Sequence, residues 1–179
     1  MKNILFILFF IIGSANIIEA QEESISNGFS AGFHLNQYQN DFGMGLNITS
    51  PFFMHNYLAI RLRGNLMFNQ HPENNETTWT PYSNVSLGVI GVGGKVGEHI
   101  RLYGEGGAIA LFPAEEFSTE TLEIGGYGLF GFEFYTYPRF NYFIEIGGIG
   151  TGAKADKIAG APIYSNGLLI SVGFRGHFK

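Results

Sequence analysis

Leu168-Leu169-Ile170-Ser171-Val172-Gly173-Phe174-Arg175-Gly176-His177-Phe178-Lys179 is the stretch on which the reading of the fold turns. Leu168, Ile170, Val172, Phe174 and Phe178 share one parity, and Ser171, Gly173, Arg175, His177 and Lys179 the other. Successive side chains of a pleated strand point to opposite sides, so this alternation predicts a strand with one apolar and one polar face. The polar face holds small residues and an arginine, where a strand facing water would carry a crowd of Lys and Glu.

The same period recurs upstream, and no stretch between the leader and this strand has the spacing of an amphipathic helix. Near Asn27 to Asn36, Phe29, Ala31, Phe33 and Leu35 oppose Ser30, Gly32, His34 and Asn36. Near Phe42 to Thr49, Phe42, Met44, Leu46 and Ile48 oppose Gly43, Gly45, Asn47 and Thr49. A third strand sets Leu58, Ile60, Leu62, Leu66 and Phe68 against Arg61, Arg63 and Asn65. The fourth, near Tyr82 to Val96, alternates from Val85 to Val89 and then changes parity at Ile90 and Val92, as a bulge would make it do. The fifth, Ile100 to Leu111, opposes Ile100, Leu102, Ala108 and Ala110 to Arg101, Tyr103 and Glu105. In the sixth Ile124, Phe130, Phe132 and Phe134 face away from Glu123, Gly131 and Glu133, and in the seventh Tyr142, Ile144 and Ile146 face away from Glu145, Gly147 and Thr151. The chain therefore predicts an all-β fold of about eight strands.

Connection lengths carry independent information. Long polar connections are expected at Asn69 to Pro81, Pro113 to Thr121 and Ala155 to Asn166; short ones fall at Gly97-Glu98-His99 and Thr136 to Asn141, with a short first loop near Gln37 to Asp41. Outer-membrane barrels have this asymmetry, with turns on the periplasmic side and loops outside. A soluble barrel would also alternate, but its polar face would be the outer one. Gly, Ser, Asn and Thr with isolated Arg or Glu suit the crowded interior of a narrow barrel, which leaves the apolar face in lipid. Phe52, Phe53, Tyr57, Phe112, Tyr135, Tyr137, Phe140 and Tyr142 lie near strand ends, where an interfacial aromatic girdle belongs.

Composition agrees. Only 14% of the 179 residues are charged, against about 25% in ordinary soluble domains, while Gly numbers 26, Phe 18 and Tyr 9. Residues 1–20 have the form of a secretory leader: Lys2, the apolar run Ile4 to Ile12, and Ala20 as the small residue before a cut at Gln21. The apolar run is shorter than the roughly 20 residues a spanning helix needs. Residues 21–179 then form one barrel domain. With no cysteine the chain can hold neither a disulfide nor a lipid on Cys, and a net charge of −5 without basic clusters excludes nucleic acid as a partner. No cofactor is implied, and no pair of His or acidic residues has metal-ligand spacing.

The leader, the alternating strands, the long and short connections and the closing Gly173-Phe174-Arg175-Gly176-His177-Phe178-Lys179 together resemble the small outer-membrane β-barrel superfamily, of the OmpX and OmpA transmembrane-domain kind. The resemblance spans residues 21–179 and is one of pattern. It implies a closed antiparallel eight-stranded up-and-down barrel, a monomer surrounded by outer-membrane lipid. It also implies a C-terminal signal for the barrel assembly machinery, carried here by Phe174 and Phe178, with Lys179 following the terminal aromatic.

Arg61, Arg63, Arg101 and Arg175 share the inward parity with Glu105, Glu133 and Glu145. Unpaired charges buried in a narrow lumen cost several kcal/mol, so these seven are expected to pair as a polar network that plugs the barrel. A structural or surface-interacting role follows, in envelope integrity or adhesion; a narrow pore and a lipid A-modifying enzyme are the alternatives. Lipid A deacylases resemble a His-x-Ser pair with a nearby Glu, yet none of His34, His55, His71, His99 and His177 precedes a Ser by two residues. The sequons at Asn47, Asn75 and Asn84 read as chance, and the loop His71 to Pro81, with Glu73, Glu76 and Trp79, reads as a solvated loop, with a contact surface for a host or neighbouring protein as the alternative.

Overall fold

The computed structural model describes residues 27–73, 76–116 and 118–178, so the expected leader, its cut before Gln21 and Lys179 lie outside the described residues. Eight strands follow one another: β1 (Phe29–Tyr38), β2 (Asp41–Thr49), β3 (Leu58–Glu73), β4 (Glu76–Val96), β5 (Ile100–Phe112), β6 (Glu123–Tyr137), β7 (Phe140–Gly150) and β8 (Gly167–Phe178). Each pairs antiparallel with the next, and β8 returns to β1 from Phe29↔Phe178 to Tyr38↔Leu169, so the sheet closes without a free edge. Pairs followed round the ring from Tyr38 run through Leu169, Gly147, Leu129, Glu105, Ile90 and Ala59. The path continues through the β2 side, where just past the end of the strand Phe52 N–H donates to the Asn27 carbonyl at 3.0 Å, and meets the start of β1 about ten residues below Tyr38. That stagger tilts the strands by roughly 35–45° and keeps the lumen narrow enough for side chains to fill.

The barrel is inside out. Leu46 and Ile124 are 66% and 68% exposed on the outer face, whereas Arg61, Arg175 and Glu145 are at most 1% exposed inside. Except beyond Val89 on β4, alternation on the strands follows the expected parity. Phe53, Tyr57, Phe112, Tyr137 and Tyr142 stand exposed near strand ends, and Phe140 is half-buried between Tyr142 and Phe174, but the other two members of the expected girdle lie elsewhere. Tyr135 points inward because it has the parity of Glu133, and Phe52 is tucked under the barrel with its ring 4.4 Å from the Arg101 guanidinium.

Four local expectations are corrected. The polar run Asn69 to Pro81 is no loop: β3 and β4 continue as a hairpin through Asn69↔Thr80 and Gln70↔Trp79 to Glu73↔Glu76, well past the ends of β2 and β5. A ribbon that stands beyond its neighbours has no apolar surroundings to select hydrophobic residues, and its threonines are good strand formers. The first loop shrinks to Gln39 and Asn40. Ile90 does not change parity; it is buried in register opposite Ala59, and the bulge comes later, between Val92 and Gly94, where Gly94 has a φ of 149°. Thr151 lies just past β7, where its hydroxyl bonds the carbonyls of Tyr164 and Ser165 at 3.2 and 3.0 Å.

At the loop end, segments 113–122 and 151–166 are clipped together. Ser118 Oγ donates to the Lys154 carbonyl (3.3 Å), Thr119 N–H donates to Asp156 Oδ1 (2.8 Å), and the Thr119 hydroxyl donates to Oδ2. These Thr119 bonds hold the Asp156 carboxyl below its ordinary value of 3.8. A group with a lowered folded pKa contributes its contact fully above the unfolded value and loses it as pH falls through the folded one. The Thr119 amide should therefore keep its hydrogen-exchange protection at neutral pH and lose it only in acid below pH 3.8, whereas in Asp156→Asn it should exchange faster already at pH 7. Unchanged exchange in that variant would mean the clip is held elsewhere.

Candidate functional site

Inward parity on β3, β5, β6, β7 and β8 brings all seven charged residues singled out above into one cluster across the lumen. Glu145 is its hub. Its Oε1 accepts from Arg61 Nη1 (3.0 Å), Arg63 Nη2 (3.1 Å), Arg175 Nη2 (2.7 Å) and the Tyr103 hydroxyl, and its Oε2 accepts from Arg63 Nη1 (2.7 Å). Glu105 is held by Arg63 through Nε (3.2 Å) and Nη2 (2.6 Å) and by Arg61 Nη1 (2.7 Å). Towards the short-turn end, Glu133 accepts from Arg175 Nη1 (2.6 Å) and Arg101 Nε (2.7 Å), with Arg61 Nη2 3.8 Å away. Charge-assisted, multidentate bonds of this kind are stronger than neutral ones, and they satisfy carboxylates that water does not reach.

Aromatic side chains complete the cluster. Each glutamate has a tyrosine partner: Tyr103 on Glu145, Tyr127 on Glu105 (2.7 Å) and Tyr135 on Glu133 (3.2 Å). The Arg175 guanidinium lies 3.6 Å from the centre of the Phe143 ring. Sequence parity pointed to Tyr103; Tyr127 and Tyr135 share the inward parity of β6 and were legible by the same rule.

The charges also orient a neutral ladder. Arg175 Nε can only donate, and it reaches Asn47 Oδ1 at 3.0 Å, which turns Asn47 Nδ2 towards His34 Nδ1 (3.0 Å). His34 Nδ1 then accepts, and Nε2 carries the proton that meets Asn65 Oδ1 at 2.7 Å. Asn65 passes the pattern on to Asn84 Oδ1 (2.6 Å). From Arg175 Nε to Asn65 Nδ2 each donor nitrogen of this chain meets an acceptor, an arrangement that fixes strand register, and no carboxylate oxygen of the three glutamates is without a donor.

The lumen is not polar throughout. Towards the loop end Tyr38, Ile109, Leu129, Ile149 and Leu169 point inward and are buried. With Tyr127, Asn36, Arg63, Asn65 and Ser86 they line a void of about 10 Å³, roughly one water molecule. Beyond this layer Asp41 gathers Asn69 Nδ2 (2.6 Å), the Tyr82 hydroxyl (2.8 Å) and the Ser165 N–H (2.6 Å), and so seats segment 151–166 over the mouth. Phe174 and Phe178 lie on the outer face of β8, both exposed.

Fold and lumen together define a small closed up-and-down barrel of eight antiparallel strands, apolar outside and ionic within. No protein-family model and no curated protein matches the chain. Among solved structures, it is similar to the N-terminal β-barrel domain of OprF from Pseudomonas aeruginosa, with a TM-score of 0.57 and 13% identity over 86% of this chain and 98% of that one. At that identity the likeness is one of fold.

Proposed function

We propose that this chain is an integral protein of a bacterial outer membrane, exported by its leader, and that its role is structural or surface-interacting, in envelope integrity or adhesion. The observation that carries this reading is the reversal of the usual distribution of side chains. Leu46, Leu62, Leu87, Ile124 and Ile144 stand exposed on the outer face while the seven lumen charges are buried. Such a surface belongs in hydrocarbon, and a closed sheet leaves no backbone group unpaired there. The engaged carboxylates and the filled lumen favour a plug over a pore or a lipid A-modifying site. Phe174 and Phe178 are the residues offered to the barrel assembly machinery, and the projecting β3–β4 hairpin, with Trp79 exposed, is the surface offered to a partner outside.

Two measurements test this. Washing envelopes at high salt without detergent should leave the protein in the membrane pellet, and the unboiled protein should migrate differently from the boiled one in a detergent gel; release into the soluble fraction would end the reading. Overexpression should leave the lipid A mass spectrum unchanged and the folded barrel should pass no steady current in a planar bilayer. A new lipid A species would identify an enzyme, and a steady current a pore.

A further inference from the structure

The ionic cluster and the apolar layer occupy different levels of the lumen and have different physical consequences. Buried guanidinium–carboxylate pairs tie strands together, but they are also hydrogen-bonding groups along which water and small ions can exchange partners. An apolar constriction offers a hydrated ion nothing and empties of water. Here β1, β5, β7 and β8 each send an apolar side chain to the loop end of the lumen, as Tyr38, Ile109, Ile149 and Leu169, while Leu129 of β6 is directly opposite Glu105 and closer to the ionic cluster; the void these residues line has room for about one water. We propose that the permeability barrier of this barrel is that apolar layer near the loop end, distinct from the ionic network, which holds the strands in register. The layer keeps the polar chamber at Ser86 and Arg63 out of contact with solvent at the loop mouth. This rests on the reading of the chain as a sealed barrel. It does not depend on where in the cell the barrel sits.

The chain has no cysteine, so Ser86→Cys places a single, nearly isosteric thiol in the chamber. The folded barrel in detergent is treated with a small charged methanethiosulfonate, and the mass gain is followed over time. With the layer intact the thiol should stay unmodified for hours; adding Ile149→Ala and Leu169→Ala should speed modification at least tenfold, and adding Glu133→Gln instead should leave it slow. Rapid modification of Ser86→Cys alone, or acceleration by Glu133→Gln and not by the two alanines, would overturn the proposal. Heat-modifiable migration verifies folding of each variant, and Leu169→Ala alone serves if the double replacement does not fold. The assay uses detergent-folded protein, so a soluble, non-membrane chain would be revealed by the envelope wash and not by this result.

Discussion

Replacing Glu145 by Gln should lower the stability of the folded barrel by about 3–5 kcal/mol, the usual consequence of removing one partner from a buried ionic network. Glu145 takes donors from Arg61, Arg63, Arg175 and Tyr103, and the amide that replaces it turns an NH₂ group towards one of those guanidiniums. Four guanidiniums would then face the two carboxylates of Glu105 and Glu133 in a space water does not enter. The measurement is the urea midpoint of unfolding from detergent or lipid, with heat-modifiable migration as a second readout. Glu133→Gln should move the midpoint in the same direction and by less, because only Arg101 and Arg175 hold Glu133 closely. Glu76→Gln, at the exposed tip of the β3–β4 hairpin, should shift stability by no more than about 0.5 kcal/mol. Equal, small shifts at Glu145 and Glu76 would show that the lumen is hydrated, and the plugged-barrel reading would fall.

Gly131→Ala should cost about 1–3 kcal/mol, and Gly131→Val should prevent stable folding. Gly131 is directly opposite Tyr103 in the β5–β6 register, and the phenol ring lies across its Cα: a Cβ built there would be 2.3 Å from Tyr103 Cζ. The ring cannot step aside cheaply, because its hydroxyl donates to Glu145 and lies 3.3 Å from Arg175 Nη1. Gly104→Ala, on the outward face of β5 with no atom nearer than 3.9 Å to the new Cβ, should be close to neutral in the same assay. In a Tyr103→Ala background the Gly131→Ala penalty should disappear, since the two residues form one contact and their effects are not additive. A penalty that persisted there would place the strain elsewhere.

Strand identity and the side of each strand that faces the lumen were legible in the amino-acid order. Period two is a local property of an extended backbone, so Phe174 and Arg175, or Phe132 and Glu133, declare opposite faces without knowledge of any partner. The scarcity of Lys and Glu on the polar parity decided which face is interior, because a narrow lumen tolerates only small residues and paired charges. The seven charged members of the cluster were found by this rule alone. The rule falls silent where both parities are apolar, as in Ile109-Ala110-Leu111 and Leu168-Leu169-Ile170, and the apolar layer was hidden in those stretches. It also misleads where a ribbon leaves the barrel, since the residues of the β3–β4 hairpin are polar on both faces and read as a loop. Which guanidinium meets which carboxylate, and at what height each layer sits, belong to the tertiary structure. They depend on the stagger accumulated round all eight strands before β8 closes on β1, and no single strand carries that sum.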